Sequence, residues 1–151
     1  MFDATDRRFM KKAIDLAERA LGLASPNPSV GCLIVRDGRI VGRGWHEYSL
    51  MDHAEVKALE EAGERSQNAT AYVTLEPCCH QGRTPPCVKR LIHAGICRVV
   101  VARIDPNPQV SGQGVKRLIS SGIRVDVGLM SEEAGALRRG LWKSIKPTSS
   151  R

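Results

Sequence analysis

Two short segments hold the side chains able to do chemistry. His53-Ala54-Glu55 opens one apolar-periodic stretch, and Glu76-Pro77-Cys78-Cys79-His80-Gln81-Gly82-Arg83-Thr84-Pro85-Pro86-Cys87 lies between two others. One imidazole from His53 and two thiolates from Cys78 and Cys87 make a three-ligand zinc set. Such a set leaves the fourth tetrahedral position open to water. A helix N-terminus lowers a thiol pKa and favours the thiolate that zinc requires. Pro86, just before Cys87, fits a helix start, because a first-turn residue needs no N–H donor.

Glu55 follows His53 by two residues, which is about 200° around a helix, so in mid-helix the two would diverge. In a first turn the imidazole can reach a metal while the carboxylate reaches the metal's water. That pairing suits hydrolytic deamination. A Lewis acid brings the pKa of water from ~15.7 towards ~7, and a carboxylate shuttles its proton. Three blander readings compete. Cys78 and Cys87 can be buried apolar cysteines, although Pro, Gly and polar residues surround them. His80 can be a fourth ligand that closes a structural zinc knot. Glu55 can be an ordinary first-turn glutamate favoured by the helix dipole. The zinc reading needs one explanation where these need three. Cys32 and Cys97 lie at apolar strand positions and are read as core, Cys79 as pointing away from the metal, and His93 as a surface residue.

The elements that must position these side chains are legible from periodicity. Apolar residues from Phe9 to Leu21 make one helical stripe over 5–23, ended by Gly22 and the Pro26-Asn27-Pro28 loop. Val30–Val35 and Ile40–Trp45 flank Arg36-Asp37-Gly38-Arg39, a strong hairpin signal. A helix follows over 53–62, then a strand over Tyr72–Leu75, and a helix that leaves the cysteine-rich loop and ends near Gly95. A strand over Val99–Ile104, a helix over 113–121, a strand over Val125–Val127 and a helix over 131–143 complete the order. Helices alternating with strands imply an α/β fold with helices on both faces of the sheet, and ligands at strand-to-helix junctions.

The chain's 151 residues are enough for one domain with its own core. Its apolar runs fall far short of the ~20 residues a membrane helix needs, and MFDATDRRFM lacks the apolar region of a signal peptide. Five cysteines, an odd number, argue against a closed disulfide framework and for a reducing, cytoplasmic setting. The net charge of +7 is unevenly spread. Arg138, Arg139, Lys143, Lys146 and Arg151 supply most of it, and no acidic residue lies among them. The body is nearly neutral, so basicity alone does not indicate nucleic acid.

Several segments together resemble a known family. They are Pro26-Asn27-Pro28-Ser29-Val30-Gly31, His53-Ala54-Glu55, Thr74-Leu75-Glu76-Pro77-Cys78-Cys79-His80, Gly82-Arg83-Thr84-Pro85-Pro86-Cys87, Asp105-Pro106-Asn107-Pro108 and Val110-Ser111-Gly112. With them the chain, from about residue 6 to 142, resembles the deaminase domain of the bifunctional riboflavin-pathway deaminase/reductase, which has the cytidine-deaminase-like zinc fold. The eight residues between Cys78 and Cys87 are the specific feature, since tRNA adenosine and cytidine deaminases have two at this place. The chain departs from the family in Tyr48-Ser49-Leu50-Met51-Asp52, where a glycine is usual.

The resemblance implies a three-layer α/β/α sandwich with a mixed sheet of about five strands. It implies a deaminase domain over 1–143 and a basic tail over 144–151, with the family's reductase domain expected to be absent and its connection to begin about Leu141-Trp142-Lys143. The implied reaction converts 2,5-diamino-6-ribosylamino-4(3H)-pyrimidinone 5′-phosphate to 5-amino-6-ribosylamino-uracil 5′-phosphate and ammonia. His53, Cys78 and Cys87 would hold one zinc per chain, and Glu55 would move the proton. Asn27 and His46 look like contacts to the base and sugar; Arg83, Thr84, Asp105 and Asn107 look like contacts to the ribose and phosphate. A homo-oligomer, and a separate reductase acting on the product, are the partners expected. The alternatives are a paralogous deaminase of another aminopyrimidine or purine, and a zinc-stabilised RNA-binding module.

Overall fold

The computed structural model describes residues 2–19, 30–45, 54–77, 87–104 and 111–138, with the side chains of 135–138 excepted. The expected architecture is present. Helix α1 (Ala4–Arg19) precedes the hairpin β1 (Gly31–Arg36) and β2 (Arg39–Trp45). There follow α2 (Ala54–Ala62), a 3₁₀ turn over Gly63–Ser66, β3 (Thr70–Val73), α3 (Cys87–His93) and β4 (Arg98–Val101). The described chain ends with α4 (Gln113–Ser120), β5 (Arg124–Val127) and α5 (Ser131–Arg138).

The five described strands form one sheet in the order β2-β1-β3-β4-β5. β1 is antiparallel to both β2 and β3, whereas β3, β4 and β5 are mutually parallel. The hairpin closes at Asp37 and Gly38, both at positive φ (53° and 76°), which matches the turn expected of an Asp-Gly pair. Pleating sorts the sheet's side chains into two cores. Leu33, Val35, Tyr72 and Val100 face α1, with Leu129 and Ala134 completing that layer. Cys32, Ile34, Ala71, Val73, Val99 and Val101 face the other way, under Ala54 and Ala58 of α2, Val88 and Leu91 of α3 and Leu118 of α4.

Helix α1 starts in a capping box. Asp3 Oδ1 accepts the Asp6 amide at 2.8 Å, and Asp6 Oδ2 accepts the Asp3 amide at 3.3 Å. Asp6 also ties α1 to the sheet, accepting the Tyr72 hydroxyl at 2.7 Å and both terminal nitrogens of Arg98 at 2.9 and 3.1 Å.

Element boundaries differ modestly from the sequence reading. β3 begins at Thr70 rather than Tyr72, and β4 at Arg98 rather than Val99, because Thr70 and Arg98 pair across the parallel ladder. One expectation is corrected: Cys97 is exposed, not core. It lies one residue before β4, its Sγ donating to the Asn68 and Ala69 carbonyls at 3.3 and 3.4 Å. Cys32 is fully buried and His93 exposed, as expected. No described helix is long and apolar enough to cross a membrane.

Candidate metal-dependent active site

Strand directions bring several chain ends to one edge of the fold. Gly31, at the start of β1, pairs with Trp45, at the end of β2; Cys32 pairs with Val73 near the end of β3; and Val73 pairs with Val101 at the end of β4. Val30, Trp45, Pro77 and Ile104 therefore extend from the same end of the sheet. In the sequence, Asn27 precedes Val30, His46 follows Trp45, Arg83 and Thr84 follow Pro77, and Asp105 and Asn107 follow Ile104. Those six residues lie outside the described residues, as do His53 and Cys78. Of the candidate site residues, the structure describes Glu55 and Cys87.

Backbone hydrogen bonds tie these chain ends together. The Gly31 amide donates to Thr74 Oγ1 at 3.1 Å, and the Thr74 amide donates back to the Gly31 carbonyl at 3.1 Å. The Glu76 amide donates to the Arg103 carbonyl at 3.0 Å, extending the β3–β4 pairing past the ladder. Thr74 and Glu76 are both buried.

Glu55 stands in the first turn of α2, 4% exposed. Helix α2 can lie this close to the sheet because β2 carries glycine at 42 and 44. A Cβ at Gly44 would collide with the Ala54 carbonyl oxygen, and one at Gly42 with that of Ala58. Glu61 fixes the far end of the same contact, accepting the Arg43 amide at 2.6 Å. Beneath Glu55 lies Cys32. Burial pushes the Cys32 thiol well above its usual range, and the charge of Glu55 pushes it the same way. Cys32 is thus held as a neutral thiol, a floor rather than a thiolate donor.

Cys87 is the first residue of α3, 1% exposed and outside both apolar clusters. Helices α2 and α3 pack against each other. Both described candidates therefore begin helices, at ends where unpaired N–H groups favour negative charge. A thiolate and a buried carboxylate in such positions fit a zinc ion with an attacking water. Among the described residues no group of three or more His, Cys, Asp or Glu gathers as a metal site.

The sequence alone assigns no part to Thr74 or Gly44, which shape this end of the fold. Gly42-Arg43-Gly44 was the available signal, since paired glycines inside a strand mark close backbone approach.

The profile described as "Cytidine and deoxycytidylate deaminase zinc-binding region" matches residues 3–103. The chain is 51% identical over 145 residues to the riboflavin biosynthesis protein RibD of Aquifex aeolicus (strain VF5), covering 96% of this chain but 41% of that protein. It is 51% identical over 138 residues to the diaminohydroxyphosphoribosylamino-pyrimidine deaminase of Buchnera aphidicola subsp. Acyrthosiphon pisum, covering 91% of this chain and 94% of that enzyme. Among solved structures, Acinetobacter baumannii RibD (form 2) superposes with a TM-score of 0.87 at 50% identity, over 93% of this chain and 40% of that one. The chain thus spans about two-fifths of the length of the RibD proteins it matches and nearly all of the shorter deaminase.

Proposed function

The chain belongs to the cytidine and deoxycytidylate deaminase zinc-binding family, and we propose that within it the protein is the riboflavin-pathway pyrimidine deaminase. The substrate is 2,5-diamino-6-ribosylamino-4(3H)-pyrimidinone 5′-phosphate, and the products are the corresponding 5-amino-uracil ribotide and ammonia. Similarity along nearly the whole of an enzyme named for this deamination supports the substrate class. The observation that carries the chemistry is Glu55, a carboxylate buried in a helix's first turn and two residues after His53 in the chain.

His53, Cys78 and Cys87 would hold one zinc per chain. Bound there, zinc supplies Lewis acidity towards a water molecule. Glu55 takes one proton from the attacking water and delivers it to the ring nitrogen, then takes the second from the hydroxyl newly added to the ring carbon and delivers it to the amine, which departs as ammonia. General acid–base catalysis of this kind contributes roughly 10²–10⁴ in rate. Asn27 and His46 hold the base and sugar, while Arg83, Thr84, Asp105 and Asn107 hold the ribose and phosphate. A guanidinium suits a phosphate because it offers paired, charged donors. Residues 1–143 form the deaminase unit and 144–151 a basic tail. The protein works in the cytoplasm as a homo-oligomer, and a separate reductase takes up its product.

The test is ammonia release from the diaminopyrimidine ribotide, guanine, cytidine and tRNA in parallel. Release from the ribotide alone is expected. Release from guanine or cytidine instead would make the protein a paralogous deaminase. Retention of RNA with no ammonia from any substrate would make it a zinc-stabilised RNA-binding module.

A further inference from the structure

The deamination chemistry leaves Glu76 without a part, yet its carboxylate is buried at 5% exposure between two segments of the fold. Helix α4 begins at Gln113 with Gly112 as its N-cap, at φ 80°, and glycine has no side chain with which to cap. Glu76 supplies both missing bonds from outside the helix. Its Oε1 accepts the Gly112 amide at 2.9 Å, and its Oε2 accepts the Val115 amide at 3.0 Å. These are the N-cap and N3 donors that a capping box satisfies within one helix. One carboxylate here serves both in trans, where the helix dipole also favours its charge.

The joint is tight on its backbone side as well. A Cβ at Gly114 would collide with the Pro77 carbonyl oxygen and come within 3.2 Å of Glu76 Cγ. The Glu76 amide is meanwhile held by the Arg103 carbonyl at 3.0 Å. Side chain and backbone together fix Glu76-Pro77 against α4 and β4. The next residue in the chain is Cys78.

We propose that Glu76 is a positioning residue for the metal site: its bonds to the Gly112 and Val115 amides dock the exit of β3 on α4 and so set where Cys78 presents its thiolate. The inference rests on the assignment of Cys78 as a zinc ligand. A buried group that only stabilised the fold would lower the melting temperature without altering the zinc affinity of the folded protein. A positioning group alters both. Outer-shell changes commonly weaken metal binding by about 10- to 100-fold, and Glu76 acts at one remove, so about tenfold is expected.

The experiment is zinc competition against a chromogenic chelator on the full chain, well below the unfolding transition. Variants Glu76→Gln and Gly114→Ala probe the joint from its two sides. Tyr72→Phe, which removes a hydrogen bond on the opposite face of the sheet, is the control for loss of stability alone. About tenfold weaker zinc binding in both joint variants, with wild-type affinity in Tyr72→Phe, is the expected result. Wild-type zinc affinity in either folded joint variant overturns the positioning role, as does equal weakening in Tyr72→Phe. If one joint variant does not fold, the other decides. Failure of the wild-type chain to bind zinc would instead overturn the metal assignment itself.

Discussion

Asp6 and Arg98, far apart in sequence, meet end-on: both terminal nitrogens of the guanidinium donate to the two carboxylate oxygens, at 2.9 and 3.1 Å. Arg98 Nε donates in turn to Asp126 at 2.9 Å, so one side chain bridges α1 and β5. Burial pushes the Asp6 carboxyl up. The hydrogen bonds from Arg98, Tyr72 and the Asp3 amide outweigh that and hold it at about 2, below the ordinary 3.8.

A carboxyl lowered on folding stabilises the native state above its unfolded pKa and ceases to as pH falls through its folded one. The contribution of Asp6, about 2 kcal/mol, is therefore complete above about pH 4 and lost towards pH 2. Urea unfolding of wild type and Asp6→Asn should show a stability gap at pH 6 that narrows steadily between pH 4 and pH 2. A gap that stays constant over that range would mean the carboxylate's charge has no part in it.

Purified protein should hold about one zinc per chain. Cys87→Ser should lose it, because the two thiolates supply most of the affinity. Full occupancy by metal analysis in both Cys78→Ser and Cys87→Ser would remove the proposed site.

Glu55→Gln separates the proton carrier from the ligands. The amide fits the same first turn but cannot shuttle a proton, so activity should fall by about two to four orders of magnitude while zinc and fold persist. Metal loss in this variant would make Glu55 a ligand, and the mechanism would have to change.

Gly44→Ala tests how closely α2 must lie on β2. The new methyl meets the backbone carbonyl of Ala54 rather than the tip of a flexible side chain. Destabilisation by about 1–3 kcal/mol is expected from such overpacking. Activity should fall with it, since the same carbonyl belongs to the turn that carries Glu55. Unchanged melting temperature and turnover would show that α2 can lift without consequence.

Arg83→Ala addresses the phosphate. A hydrogen bond to a charged group is worth roughly 1.5–3 kcal/mol, or about 10- to 150-fold in kcat/KM. The loss should appear with the ribotide and be much smaller with the dephosphorylated nucleoside. Equal losses on both would assign Arg83 to loop shape rather than phosphate.

The fold was legible because its signals were local. A helical stripe from Phe9 onwards, an Asp-Gly turn between apolar runs, and strands spaced by helical stretches gave the layer order directly. Strand starts at Thr70 and Arg98 were missed because they are set by pairing with each other, not by either residue's hydrophobicity. Cys97 was misjudged for a related reason: an apolar neighbourhood in sequence does not reveal that a strand has not yet begun. The helix-start positions of Glu55 and Cys87 were legible from residue type and spacing. The groups that brace the site were not, since Glu76 caps a helix 36 residues away and Gly44 matters only for what lies above it.

The mixed sheet also dictates an order of assembly. The hairpin closing at Asp37-Gly38 needs no other element, and such hairpins form in about 1–10 μs. Every other strand pairing brings together residues separated by a helix, and non-local closures of that kind slow folding. The end of the sheet where Val30, Trp45, Pro77 and Ile104 converge is consequently complete only when β4 has docked beside β3. Folding halted after the hairpin would leave α3, which begins at Cys87, without the β3 and β4 side chains it packs on, so recovery of activity during refolding should trail recovery of hairpin structure.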